Sequence, residues 1–356
     1  MLLLNPGPVT LSARVREALR QPDLCHREPE FFDLQDEARR RLLAVYGLEP
    51  GVWSAVLMSS SGTGAVESMM TALVPAAGRV LIVENGVYGE RMAQICLQYG
   101  VPHERLTGDW MHPLDLAAVE SRLKAASARF SHVAVVHHET TTGRLNDLQG
   151  LAALCRKYGV GLLVDGVSSF GAESIDFAQP GLVAVAATAN KCLHGVPGAA
   201  FVIVRRDALA LAVSRTYYLD LARLSRQQDA RNTPFTPAVH AYYALVEALR
   251  EYEEQGGRVA RHRRYAALAE QVRGGLSDLG ISSVLKAEES SVVLRSYQLP
   301  RNLSYSRLHD GLKQQGFVIY AGQSKLADSL FRISTMGELS ASDMERLLAG
   351  FARLMQ

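Results

Sequence analysis

The sequence predicts an α/β protein, a large domain with a mostly parallel sheet covered by helices and then a smaller α+β C-terminal domain. Short Val- and Ile-rich runs alternate with amphipathic stretches between residues 55 and 204, the rhythm of strands joined by helical crossovers. The runs have the length and apolar content of strands buried on both faces. Beyond about residue 240 the rhythm stops, and long helical segments with a few strands take over.

In chain order, the strand-like runs are 55–58, 80–83, 133–136, 162–164, 183–187 and 201–204. Apolar residues at helical spacing fill 65–73, 91–98 and 148–157 between them. A long helical segment at 237–254 ends at Gly256-Gly257, and a second, Arg-rich one covers 259–276. Strands at 291–296, 317–320 and 331–334, with helices at 305–315 and 341–354, make up the remainder. The expected division is a large domain over 15–245 and a small one over 246–356 that includes the N-terminal arm 1–14.

Composition narrows the classes of partner. The 356 residues are 48% apolar and 21% charged, which excludes disordered and fibrous chains. Lys plus Arg number 38 against 36 Asp plus Glu, so there is no broad basic face for nucleic acid or anionic lipid. Six of those cations are Lys, at 124, 157, 191, 286, 313 and 325. Lys differs from Arg in being able to lose its proton and attack as an amine. Cys25, Cys96, Cys155 and Cys192 have neither CxxC nor zinc spacing, which points to a reduced, cytoplasmic setting with no metal. No apolar run approaches the roughly 18 residues of a membrane helix, and MLLLNPGPVT has no basic n-region. The expectation is a soluble, unexported chain.

Three groups can carry chemistry. Ser59-Ser60-Ser61-Gly62-Thr63-Gly64 lies between a strand and a helix, where free N–H groups and the positive end of the dipole suit a phosphate. The same turn could be a simple N-cap through Ser61 or Thr63. It is neither a P-loop nor GxGxxG, which argues against a nucleotide-dependent dehydrogenase. Asp165 ends the run 162–164, and a carboxylate buried there requires a cation, a protonated ring or a capping role. Lys191 follows the run 183–187 and precedes Gly195-Val196-Pro197-Gly198; it alone of the six lysines stands at the end of a buried strand, where desolvation favours the neutral amine. If the two strands are parallel neighbours, all three groups meet at the carboxyl edge of the sheet. A phosphate cradle, an acid and an amine on one edge describe a site for pyridoxal 5'-phosphate, whose aldehyde, ring nitrogen and phosphate match the three groups. His137-His138 is expected to end a strand, and Arg258 to Arg264 to form a solvated helix face.

At these residues the sequence resembles the class V aminotransferases of fold type I. The resemblance covers nearly the whole chain, through LLLNPGPVT, CHREPEF (25–31), SGTGAVE (61–67), VENGVYGERM (83–92), HHETTTGRLN (137–146), VDGVSSFG (164–171), ANKCLHGVPG (189–198) and QQGFVIYAG (314–322). ANKC-x-x-GVPG with ETTTG is similar to the branch acting on 2-aminoethylphosphonate and pyruvate, with alanine–glyoxylate or serine–pyruvate transfer the alternative. The resemblance implies that Lys191 is the catalytic amine and Asp165 the partner of the ring nitrogen. Ser61, Gly62 and Thr63 would hold the phosphate, joined by Thr236 from the second subunit of a homodimer. Tyr88 would stack on the ring, Thr140 would lie near the ring oxygen, Asn190 would contact the cofactor, and Arg332 would grip the substrate anion. The implied partners are an amine donor and a 2-oxo acid acceptor. The chain departs from the pattern at Val239, where another Thr is expected, and after Arg332, at ISTMGEL.

Overall fold

The protein's structure, a computed structural model, describes residues 1–125, 129–301 and 303–355. Its main sheet contains β1 (Trp53–Met58), β2 (Val80–Glu84), β3 (His103–Thr107), β4 (His132–Val136), β5 (Gly161–Asp165), β6 (Leu182–Thr188) and β7 (Ala200–Arg205). The strand order is β1-β7-β6-β5-β4-β2-β3. β7 runs antiparallel to β1 and β6, and the remaining pairs are parallel. The turn 189–199 returns the chain directly beside β6, and so short a connection permits only an antiparallel pair. All six expected runs are strands. β3, with the sequence HERLT, is an addition at the edge, where half-exposed polar residues are tolerated and the sequence lacks an apolar signal.

Helices cover both faces: α1 (Pro29–Ala44), α2 (Gly62–Leu73), α3 (Val87–Gln98), α4 (Leu116–Ala125), α5 (Leu148–Tyr158), α6 (Leu221–Asp229) and α7 (Val239–Glu254). Successive residues of β7 serve opposite cores, as strand pleating requires. Phe201 and Ile203 join Phe31, Phe170, Leu245 and Leu249 on one face, and Val202 and Val204 join Met69, Ile82 and Met92 on the other. Gly256 and Gly257, at φ +93° and +65°, break the chain between α7 and α8 (Gly257–Asp278). These are left-handed conformations that glycine adopts without strain.

A second, antiparallel sheet has the order β8 (Leu294–Gln298), β10 (Leu330–Ser334), β9 (Tyr320–Ala321). It is flanked by α8, α9 (Tyr305–Gln314) and α10 (Ala341–Met355), and its core includes Leu276, Phe317, Phe331 and Phe351. The expected strand 317–320 is divided in two. Phe317–Val318 pairs in parallel with Leu2–Leu3 of the N-terminal arm, whereas Tyr320–Ala321 pairs with β10. The expected strand 291–296 starts later, because Ser291 and Val292 bond instead to the buried Glu173 carboxylate. Among the described residues no helix is long and apolar enough to cross a membrane.

Candidate active site

β5 and β6 are parallel neighbours with Asp165 opposite Ala186, so Asp165 and the turn carrying Lys191 leave the sheet on the same edge. α2 begins on that edge too. A Cβ on Gly62 would lie 2.8 Å from Val167 Cγ1, and only a glycine permits so close an approach between the helix N-terminus and the turn after Asp165. Ser61 is the N-cap, but its hydroxyl makes no capping bond and the first turn holds no acidic residue. The leading amides of α2 are therefore available to an anion.

Asp165 is 7% exposed. Its Oδ1 accepts from Val167 N at 2.9 Å, Oδ2 has no hydrogen bond, and no ion pair holds it among the described residues. Burial raises its pKa to about 6 against the opposing fields of Arg91 and Lys191. Lys191 is lowered to about 8, chiefly by burial, with Arg332 and Arg91 acting in the same direction. Its Nζ donates to the Pro6 carbonyl, and a Cβ on Gly7 would lie 2.6 Å from that nitrogen. The N-terminal arm therefore passes directly over the amine.

Tyr88, in the first turn of α3, has the Arg91 guanidinium 4.7 Å from its ring centre, and Arg91 Nη1 donates to Thr63 Oγ1 at 3.2 Å. The backbone N–H of Tyr88 donates to Glu139 Oε2 at 3.3 Å. Glu139 is fully buried and accepts from Thr141 N at 3.1 Å and Thr141 Oγ1 at 2.6 Å. Burial raises its pKa to about 7, and the nearby Asp165 adds to the shift. A short hairpin, His138–Glu139 with Arg144–Leu145, presents Thr140. The Thr140 carbonyl accepts from Arg332 Nη1 at 2.9 Å. Arg332 itself is 4% exposed in β10.

Lys191, Asp165, Thr63, Tyr88, Thr140 and Arg332 thus form one connected neighbourhood beside Ser61 and Gly62. Asn190 adjoins Lys191, but its Oδ1 is taken by Thr188 Oγ1 at 2.8 Å. Thr236 is exposed on the loop before α7, with no hydrogen bond to the cluster among the described residues. Sequence reasoning passed over Arg91 and Glu139, which lie in a helix and a hairpin whose convergence only the tertiary structure shows. His138 is also more than a strand end. Its Nδ1 is 3.1 Å from the Ser168 carbonyl, so that nitrogen carries the proton, and its buried Nε2 has no partner among the described residues. The solvated face expected for 258–264 is corrected at Arg261, which is buried and donates through Nη1 to the Cys192 carbonyl at 2.6 Å, next to Lys191. Beyond Arg332, Ser334 Oγ and Thr335 Oγ1 donate to the Val293 and Val292 carbonyls at 3.1 and 2.8 Å, so these departures support β8.

These residues fit pyridoxal phosphate. Asp165 is a buried carboxylate with an unclaimed oxygen and no paired cation, as a protonated ring nitrogen requires. The uncapped first turn of α2 suits the phosphate, and Lys191 is a buried amine whose pKa is lowered to about 8.

The sequence profile of the family described as Aminotransferase class-V matches residues 23–347. A 2-aminoethylphosphonate–pyruvate transaminase of Pseudomonas aeruginosa is 37% identical over 360 residues, spanning 100% of this chain and 96% of that protein. A protein of the same name from Aeromonas hydrophila is 37% identical, covering 99% of this chain and 94% of its own length. Among solved structures, an alanine–glyoxylate aminotransferase from Nostoc sp. superposes with a TM-score of 0.92 at 27% identity, covering 100% and 95% of the two chains. An aspartate aminotransferase of subgroup IV from Thermus thermophilus gives 0.90 at 28% identity, covering 100% and 99%. With its full-length matches and a catalytic edge of the chemistry just described, this chain belongs to the class V aminotransferases, pyridoxal phosphate-dependent enzymes of fold type I.

Proposed function

We propose that the enzyme moves the amino group of 2-aminoethylphosphonate to pyruvate, giving phosphonoacetaldehyde and L-alanine. The carrying observation is Arg332, a buried cation whose Nη1 donates to the carbonyl of Thr140 at 2.9 Å, in the hairpin beside the cluster that holds Lys191 and Asp165. It offers an anion-binding group within reach of the amine. The full-length relatives of that named activity, at 36–37% identity, support the choice of donor.

Pyridoxal phosphate, when bound, supplies an electrophilic carbon for amines and a sink for electrons. The first-turn amides of α2, with Ser61, Gly62 and Thr63, would bind its phosphate, and Asp165 would keep a proton on its ring nitrogen. Tyr88 would pack against the cofactor ring, and Thr140 and Asn190 would contact the cofactor. Lys191 would hold the cofactor, and as a neutral amine its Nζ would accept a proton from the donor's amino-bearing carbon. Its lowered pKa leaves a useful fraction unprotonated near pH 7–8. The pyruvate half-reaction reverses these proton movements, with Arg332 orienting the carboxylate as it does the phosphonate.

The working unit of this proposal is a homodimer, in which the exposed Thr236 reaches the phosphate of the partner subunit's site. Exposed Leu211, Val213, Tyr217 and Tyr218 support such an interface. The proposed partners are otherwise small molecules, in the cytoplasm, where four free cysteines remain reduced. The two-domain division about residue 245 is part of the same proposal; α7, which spans that position, packs on the core of the larger sheet through Leu245 and Leu249.

A panel of amines assayed with pyruvate tests the donor. 2-Aminoethylphosphonate is expected to be the best substrate, and preference for a carboxylate-bearing amine would overturn the assignment. Arg332→Ala is expected to lower kcat/KM at least ~100-fold for both donor and pyruvate, as loss of a buried charged contact does, while cofactor absorbance is retained. Loss for only one substrate would refute the shared site.

A further inference from the structure

The guanidinium of Arg332 is not a free fork. Nε donates to the Ala321 carbonyl at 2.8 Å, and Nη1 donates to the Thr140 carbonyl at 2.9 Å and to Gln323 Oε1 at 3.1 Å. Of its five hydrogens, these take three, leaving the two on Nη2. Both bidentate edges of the guanidinium therefore have one member already engaged. Two of the three acceptors are backbone carbonyls fixed in the structure, Ala321 in the pairing of β9 with β10 and Thr140 in its hairpin. The third is a side-chain amide. Among the described residues, the Gln323 –NH2 donates to no protein group.

Gln323 is held by a stiff loop. Gly322 N bonds to the Leu330 carbonyl at 2.7 Å, and a Cβ on Gly322 would lie 1.9 Å from the Leu326 carbonyl oxygen. Lys325 stands 4.3 Å from the centre of the Trp110 ring, and Ser324 has φ +52°. With its carbonyl end anchored on a cation and its backbone fixed, the amide has one free polar function, its pair of N–H donors.

We propose that Gln323 is a specificity-determining residue that favours a tetrahedral phosphonate over a planar carboxylate at Arg332. The proposal rests on Arg332 binding the substrate anion. A carboxylate has two oxygens and one charge, and the Nη2 hydrogens are the Arg332 donors left for it. A phosphonate has three oxygens and up to two charges, and its third oxygen requires a further donor, which the Gln323 amide supplies. The same amide withholds an Nη1 hydrogen that a carboxylate would otherwise use for end-on bidentate binding.

The test uses purified holoenzyme and two non-reacting anions, ethylphosphonate and propanoate, titrated calorimetrically into wild type and Gln323→Met, which keeps the length of the side chain and removes its donors. The Kd for ethylphosphonate is expected to rise roughly 10-fold, the scale of one hydrogen bond to a charged group, while that for propanoate stays within about 2-fold or falls. Gln323→Glu can still accept from Arg332 but loses the donors, and it is expected to weaken ethylphosphonate still further, because its charge faces a dianion. Cofactor absorbance is expected to match wild type in both variants. Parallel weakening of the two anions in Gln323→Met, or no change in either, would overturn the role of Gln323. Failure of the wild type to turn over 2-aminoethylphosphonate would instead refute the donor assignment, and the ratio of the two dissociation constants would still report on Gln323.

Discussion

Asp165 is held where its neutral form is favoured, although the proposed chemistry uses its charge. With a pKa of about 6 in the fold and about 3.9 in an unfolded chain, it binds more protons when native than when unfolded between those values. Apoprotein stability therefore falls as pH rises from about 4 to 6, and the cost persists above that. Asp165→Asn, neutral throughout, is expected to stabilise the apoprotein at pH 7 by about 2–3 kcal/mol, with the gain vanishing near pH 4. Urea denaturation of apoprotein at the two pH values measures this, and an equal difference at both would show that the carboxylate is not strained. The holoenzyme should lose turnover in the same variant, since a group that destabilises the empty site is the one that meets the ring nitrogen. Lys191 works in the same sense with the opposite charge. Burial holds its pKa at about 8, below about 10.4 for a free lysine. The unfolded chain therefore binds the extra proton between those values, and this contribution to stability rises with pH there.

The first turn of α2 shows how an element serves two demands. Its leading amides are left uncapped by side chains, and an anion there stabilises both the helix and the complex. Thr63→Asp separates the two demands. A carboxylate in the first turn is favourable to an isolated helix by roughly 0.3–1 kcal/mol, yet it puts like charge where the phosphate binds. The expected result is apoprotein at least as stable as wild type, with cofactor affinity weakened ~100-fold or more, read by spectral titration. Undiminished affinity would place the phosphate elsewhere. The sequence placed the start of this helix at Ala65, because Gly62-Thr63-Gly64 has low helix propensity. Packing of Gly62 against Val167 begins the helix three residues earlier. α1 and α6 were not anticipated, and β3 was missed because its side chains are polar.

At the scale of the whole molecule, Thr236 is the residue one chain leaves unexplained: exposed, and without hydrogen bonds to the cluster among the described residues. If it completes the partner's site, mixing inactive Lys191→Ala subunits with impaired Thr236→Ala subunits restores function. Each mixed dimer then has one site with both defects and one with neither. Activity is expected to rise to roughly a quarter of wild type on mixing, the share from a random half of dimers with one sound site each. No recovery after subunit exchange, verified by mass measurement of the mixed dimers, would rule out the contribution across the interface. The sequence alone determined the mostly parallel sheet, its six buried strands and the chain order of turn, acid and amine, because burial on both faces of a strand and the Gly and Ser content of a turn are local properties. The tertiary structure decided what no local pattern records: that Gly7 passes over Lys191, that Arg91 and Glu139 converge on Tyr88, that Arg261 is buried beside the Lys191 turn, and that three hydrogens of Arg332 are already engaged. Apart from the Arg91–Tyr88 contact along one helix and those of Arg332 with Ala321 and Gln323 nearby in the chain, these depend on contacts between residues tens to hundreds of positions apart, whose partners are set by the packing of the elements rather than by their sequences.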